Sequence, residues 1–190
     1  MKKTSKKILR VAFFGDGEAR STDRHYQESY DVAKLLAEKD YIVVDGGGPG
    51  VMKAATLGAK AGGGRVEVVI LDPKKDPDNY EGTSGKNIKL ADKVYKMASY
   101  DKRLRKLVEL ADAFVIFKGG TGTLTEIGLT WQMAKFDYGK HEPLIFFGKE
   151  WGKVVKNMIK ELDLDKKERE VVVIVDKVEE VVKVLEKNRA

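Results

Sequence analysis

Residues 113–126 read Ala113-Phe114-Val115-Ile116-Phe117-Lys118-Gly119-Gly120-Thr121-Gly122-Thr123-Leu124-Thr125-Glu126. Five apolar residues in succession make a strand buried on both faces, the pattern of a parallel sheet covered by helices. The glycines then turn the chain, and the helical spacing of Leu124, Ile127 and Trp131 begins almost at once. A strand that passes through a glycine turn straight into a helix is half of a βαβ unit.

Outward from this stretch the unit repeats. Strands are expected at Ile8–Phe14, Tyr41–Val44, Val66–Ile70, Lys93–Lys96, Ala113–Phe117, Leu144–Phe147 and Val171–Val175. Helical patterns fill residues 23–38, 50–62, 99–111, 123–136, 151–162 and 177–188. This alternation predicts a single-domain α/β fold over 1–190, a doubly wound Rossmann-like parallel sheet flanked by helices. The irregular stretch 72–87, with Pro73, Pro77, Gly82 and Gly85, is expected to be a lid or rim rather than a linker.

The composition of the 190 residues narrows the chemistry. Hydrophobic residues make up 42% and charged residues 35%, enough for a packed core and too apolar for wholesale disorder. The absence of cysteine removes disulfides, thiolate metal sites and thiol nucleophiles. His25 and His141 are too far apart in sequence for a ligand pair on one helix, so no metal is expected, and no cofactor of the chain's own is called for. The formal charge of +6 mildly favours anionic partners. Its excess sits in Lys2, Lys3, Lys6, Lys7 and Arg10, and residues 1–7 are expected to be a flexible basic tail. The apolar run after it, Val11 to Phe14, is too short for a signal peptide or a membrane span. A cytoplasmic protein with no membrane partner is therefore expected. The tail lacks interleaved aromatics, so nucleic acid is not the expected partner either.

In an open parallel sheet, ligands sit at the carboxyl ends of the strands. The glycines cluster there: Gly15 and Gly17 after the first strand, Gly46, Gly47, Gly48 and Gly50 after the second, Gly119, Gly120 and Gly122 after the fifth. Turns without Cβ atoms, two of them running into helices, expose amides and a positive helix end to an anion. Neither is a Walker A loop, because no Gly-Lys-Ser or Gly-Lys-Thr closes it. The first turn, Gly15-Asp16-Gly17-Glu18-Ala19-Arg20, lacks the third glycine of a dinucleotide fingerprint, and only Asp45, as a ribose ligand, keeps NAD in view. A mononucleotide or sugar phosphate fits better. The candidate binding set is Gly15, Gly17, Gly46, Gly47, Gly48, Gly50, Met97, Gly119, Gly120, Thr121, Gly122 and Thr123.

Two charged residues stand near that set. Thr123-Leu124-Thr125-Glu126 has the form of a capping box, with Thr123 as N-cap and Glu126 at N3. The same helix carries two apolar stripes, Leu124, Ile127, Gly128 and Trp131 on one side and Leu129 with Met133 on another. A helix apolar on both sides packs against the sheet and against something else, for which a second copy of the chain is the natural candidate. On the preceding helix, Tyr100, Leu104, Leu107, Val108 and Ala111 share a face, with Arg103 at its border, stem packed and head free. Arg105 lies on the far border, and Lys102 and Lys106 point further out.

The run from Ala111 to Glu126 resembles the P-G-G-x-G-T-x-x-E motif of the LONELY GUY (LOG) family, and Gly46-Gly47-Gly48-Pro49-Gly50-Val51-Met52 resembles its Y-G-G-G-x-x-G-L-M segment. The resemblance covers most of residues 8–150. Members of that family, long labelled lysine decarboxylases, cleave the N-glycosidic bond of nucleoside 5′-monophosphates to free base and ribose 5-phosphate; the best-known ones activate cytokinins. The resemblance implies a phosphoribohydrolase acting as a homodimer or higher homo-oligomer, with Arg103 and Glu126 as its catalytic residues. Amides of Gly120–Thr123 and the Thr121 and Thr123 hydroxyls would hold the phosphate, and Gly47–Gly50 would lie near the sugar. Glu126 would bind the ribose or direct water at C1′, oriented by Arg103.

The motifs are not complete. Lys118 stands where the motif has proline, Leu104 where lysine follows the arginine, Asp45 where tyrosine precedes the glycines, and the serine-rich first loop has become Gly15-Asp16-Gly17-Glu18. LOG-like branches that bind nucleotides or phosphate-bearing cofactors without hydrolysis, a molybdenum-cofactor carrier among them, form the alternative. Nothing marks a lysine for Schiff-base chemistry, so the decarboxylase label carries little weight.

Overall fold

The computed structural model describes residues 9–75, 78–79, 82–139 and 141–187. The basic segment 1–7, Ile8, Pro77 and the expected helix end at residue 188 lie outside them. The order is β1 (Arg10–Phe14), α1 (Arg24–Glu38), β2 (Ile42–Asp45), α2 (Gly50–Ala61), β3 (Val66–Leu71), α3 (Gly85–Ile88), β4 (Lys93–Met97), α4 (Tyr100–Leu110), β5 (Ala113–Ile116), α5 (Thr121–Phe136), β6 (Leu144–Phe147), α6 (Lys149–Glu161), α7 (Lys166–Glu170), β7 (Val172–Val175) and α8 (Val178–Lys187). The strands form one parallel sheet in the order β4-β3-β2-β1-β5-β6-β7, a Rossmann-like α/β fold in one domain.

Strand residues alternate between two cores. Val11, Phe13, Val43, Val68, Val115 and Phe117 face α1, α2 and α8. Ala12, Phe14, Val44, Val69, Ile116 and Phe146 face α4, α5 and α6. Because both faces are covered, the central strands are apolar throughout rather than every second residue. At the amino edge, Arg10 is not a loose member of the basic excess: it forms a two-point pair with Glu67, at 3.1 Å each, and Tyr95 donates to the same carboxylate.

Helix α5 departs from its expected form. It starts at Thr121 with Gly120 as N-cap and no side-chain cap, so Thr123-Leu124-Thr125-Glu126 makes no capping box. Leu124 N–H donates to Gly120 C=O, which closes the first turn early and carries Thr123 inside the helix, where it is buried against the sheet. The box forms instead at Asp165 and Glu168, before α7, a helix the sequence reading missed. The apolar stripes also divide differently. Ile127 and Trp131 are buried, whereas Leu124 and Gly128, counted with them, are exposed. Met133 and Phe136 are exposed on the side away from the sheet, Phe136 at 71%.

Candidate functional site

Chain order reverses between β1 and β5: β2, β3 and β4 run outward on one side, β6 and β7 on the other. The loops leaving β1 and β5 therefore part, and a crevice opens at their carboxyl ends. Asp16 stitches the three glycine turns together there. Its N–H donates to Lys118 C=O (2.9 Å), and its C=O accepts from Val51 N–H (2.9 Å). These approaches require glycine. A Cβ at Gly119 would lie 2.2 Å from Thr123 Oγ1 and 3.0 Å from Asp16 N, and one at Gly50, whose φ is +61°, would lie 2.1 Å from Asp16 O.

The turn after β5 is open toward solvent. The first amides of a helix have no intrahelical partner, and the N-cap of α5, Gly120, has no side chain with which to cap them. At Gly120 and Gly122 nothing of the chain lies within 4 Å of where a Cβ would be, so neither packing nor a left-handed φ demands glycine at these two positions. Thr121 is exposed, while Thr123 points inward, its Oγ1 against Gly119.

The turn after β2 is of another kind. Gly46, Gly47, Gly48 and Gly50 are buried, and its amides are partly consumed: Gly47 N–H donates to Asp45 (2.7 Å) and Val51 N–H to Asp16 C=O. Asp45 is fully buried, holds Thr56 Oγ1 at 2.7 Å, and is no ribose ligand. Burial pushes its carboxyl up to about 6, against the opposing pull of the Gly47 amide, Thr56 and Arg103. Arg103, expected with a free head, is only 6% exposed. Its Nε donates to Val69 C=O (3.0 Å) and its Nη2 to Gly46 C=O (3.2 Å). A Cβ at Gly46 would sit 2.1 Å from that Nη2, so the glycine is what lets the guanidinium under the loop.

The structure thus gathers Gly15, Gly17, Gly46–Gly50 and Gly119–Thr123 at one edge, with Arg103 beneath the second turn and Glu126 half-buried on α5. Met97 closes β4 at the same edge and packs into the core on the α4 side. Lys102 is exposed, as expected, and so is Arg105, whereas Lys106 is half-buried. Sequence reasoning missed Asp16, whose main chain does the joining, and Asn87 of α3, which donates from Nδ2 to Gly48 C=O (3.1 Å). Ser84 N–H adds a bond to Gly47 C=O, so the described part of 72–87 is indeed a rim over the second turn. A Ser-x-x-Asn cap at 84–87 was the available signal, since Ser84 accepts from Asn87 N–H.

Several known proteins are similar to this chain. An uncharacterized protein from Archaeoglobus fulgidus is 32% identical over 142 residues, 75% of this chain and 86% of its own. The solved structure of a molybdenum cofactor binding protein from Rippkaea orientalis matches with a TM-score of 0.69 and 21% identity, over 96% of each chain. The molybdenum cofactor carrier protein of Chlamydomonas reinhardtii matches with the same TM-score at 17% identity, over 95% of this chain and 98% of its own. The model of the SLOG cluster4 family, part of the LOG-like superfamily, matches residues 8–182, and with the edge glycines in place the chain belongs to that family.

Proposed function

We propose that this protein binds a phosphate-bearing small molecule at the β1/β5 crevice and carries it without cleaving it, a cofactor such as the molybdenum cofactor that its structural neighbours are named for. One observation carries the reading: α5 starts on Gly120 with no side-chain cap, and the open space at Gly120 and Gly122 leaves room for an anion. A phosphate there accepts from the amides of Gly120 to Thr123 and meets the positive end of a sixteen-residue helix. The exposed Lys118 adds a cation at the same turn. Gly46–Gly50 and Asn87 act in this reading as scaffold, and Arg103 positions them.

The test is to incubate the purified protein with nucleoside 5′-monophosphates, and separately with isolated molybdenum cofactor, and to follow both binding and ribose 5-phosphate. A carrier retains its ligand at about one per chain through gel filtration and releases no ribose 5-phosphate over hours. Repeated turnover would replace it with the phosphoribohydrolase reading, in which Arg103 and Glu126 are the catalytic residues. In that case Glu126→Ala lowers the rate about tenfold to a thousandfold, as loss of one acid–base or electrostatic group does.

The proposal includes a homo-oligomer, with the outer face of α5 against a second copy, and a cytoplasmic location. No helix among the described residues is long and apolar enough to cross a membrane.

A further inference from the structure

A titratable pair stands at the glycine edge, beside the turn after β5. His25, in the first turn of α1, places its Nε2 3.4 Å from Asp16 Oδ2, and its side chain is 17% exposed. Asp16 is the residue whose main chain joins the three turns, through Lys118 C=O and Val51 N–H. Its other carboxylate oxygen, Oδ1, accepts from Glu18 N–H at 2.9 Å, which fixes the direction of the side chain. The pair thus bridges α1 and the loop after β1, and His25 lines the same cleft as Gly119, Gly120 and Thr121.

An anion that enters this turn meets a carboxylate. The Asp16 side chain is 35% exposed, and its negative charge works against binding there. A carboxylate only accepts hydrogen bonds, so His25 Nε2 must carry a proton to bond with it, and in the imidazolium both ring nitrogens do. Protonation of the ring therefore offsets the Asp16 charge and ties its side chain to α1 in a charge-assisted bond. Histidine is the side chain whose charge ordinarily changes between pH 5 and 8. Of the other charged groups around the ring, Arg24 is engaged by Glu28 at 2.7 Å and lies 3.8 Å from Glu150, while Glu18 and Lys118 are exposed. Burial pushes the Glu28 carboxyl above its ordinary range, with Arg24 opposing, so Glu28 is the competing source of any pH dependence.

We infer that Asp16 and His25 form a proton-operated switch on the anion site at the start of α5. With His25 protonated, Asp16 is neutralised and the turn accepts an anion; with His25 neutral, the Asp16 carboxylate repels it. The inference rests on the phosphate reading above and adds the regulation of that site. By linkage, the anion favours the proton as much as the proton favours the anion, so binding draws up to about one proton per chain from solution. A carrier built this way loads at the acidic end of the range and unloads as pH rises.

The probe is inorganic sulfate, a dianion throughout this range, whereas a phosphate ester titrates at about pH 6 and would blur the result. Calorimetry on the full chain is expected to show sulfate affinity falling about fivefold to tenfold from pH 6 to pH 8, with binding heats that vary with the buffer's ionisation enthalpy as proton uptake requires. His25→Gln should abolish the fall and leave binding at the weak level of pH 8. Asp16→Asn, which keeps the acceptor for Glu18 N–H, should also abolish it but leave binding at the strong level of pH 6. Opposite shifts from the two partners of one contact are not what the loss of a merely structural contact produces. Glu28→Gln should retain the fall. If sulfate binds equally at both pH values, if the fall survives His25→Gln or vanishes in Glu28→Gln, or if Asp16→Asn weakens sulfate at pH 8, only this inference is overturned. If sulfate does not bind at pH 6, ribose 5-phosphate decides: its binding confines the failure to this inference, and its failure to bind takes the phosphate reading as well.

Discussion

A carboxylate buried at the end of β2 shapes how the protein responds to pH. Asp45 titrates near 6 in the folded chain and at 3.8 by its ordinary value, so between those limits the native state binds more protons than the unfolded one. Stability accordingly falls as pH rises through that window. Asp45→Asn should flatten the slope, shrinking the difference in unfolding free energy between pH 4 and 7 by up to about 3 kcal/mol, measured by denaturant titration at each pH. Gly119 is the other residue on which the edge turns. A methyl group there meets Thr123 Oγ1 and the Asp16 amide, and two main-chain segments must move. Gly119→Ala is expected to cost about 1–3 kcal/mol and to weaken phosphate binding, whereas Gly120→Ala, with nothing nearby, should keep its stability within about 1 kcal/mol.

Among the elements, α5 has two separate roles. Its inner face, through Ile127, Trp131 and Ala134, locks it to the sheet, and Trp131 Nε1 donates to Glu168 C=O at 2.7 Å. Its outer face leaves Met133 and Phe136 in water, where an apolar helix side gains from a partner. Phe136→Glu should therefore lower the oligomeric state seen by light scattering without changing the melting temperature at monomer concentrations. Helix α7, only five residues long, depends on its cap instead. Asp165 accepts from Glu168 N–H, and Glu168 returns the bond to Asp165 N–H. Losing the box in Asp165→Ala is expected to lower the denaturation midpoint.

At the scale of the molecule, winding outward from β1 and β5 places one crevice where two halves of the sheet separate. A ligand held there binds only the folded chain. At a hundred times its Kd it should add about 2.7 kcal/mol to the unfolding free energy, a rise of about 5–10 °C in Tm. The order of strands and helices was legible in advance because the signals are local: apolar runs such as Ala113–Phe117, helical periodicity, and glycines where strands end. The short helices α3 and α7 were not, since four or five residues carry too little periodicity to register. The capping box was misplaced for the opposite reason, as two sites fit the pattern and only packing chose between them. By itself, then, the sequence determined the layered α/β plan and the edge on which the glycines stand. Tertiary structure alone decided which of those glycine turns keeps open amides. Whether an N–H is spent depends on carbonyls and carboxylates brought from elsewhere in the chain, as Asp16 meets Val51 and Lys118, and Arg103 meets Gly46.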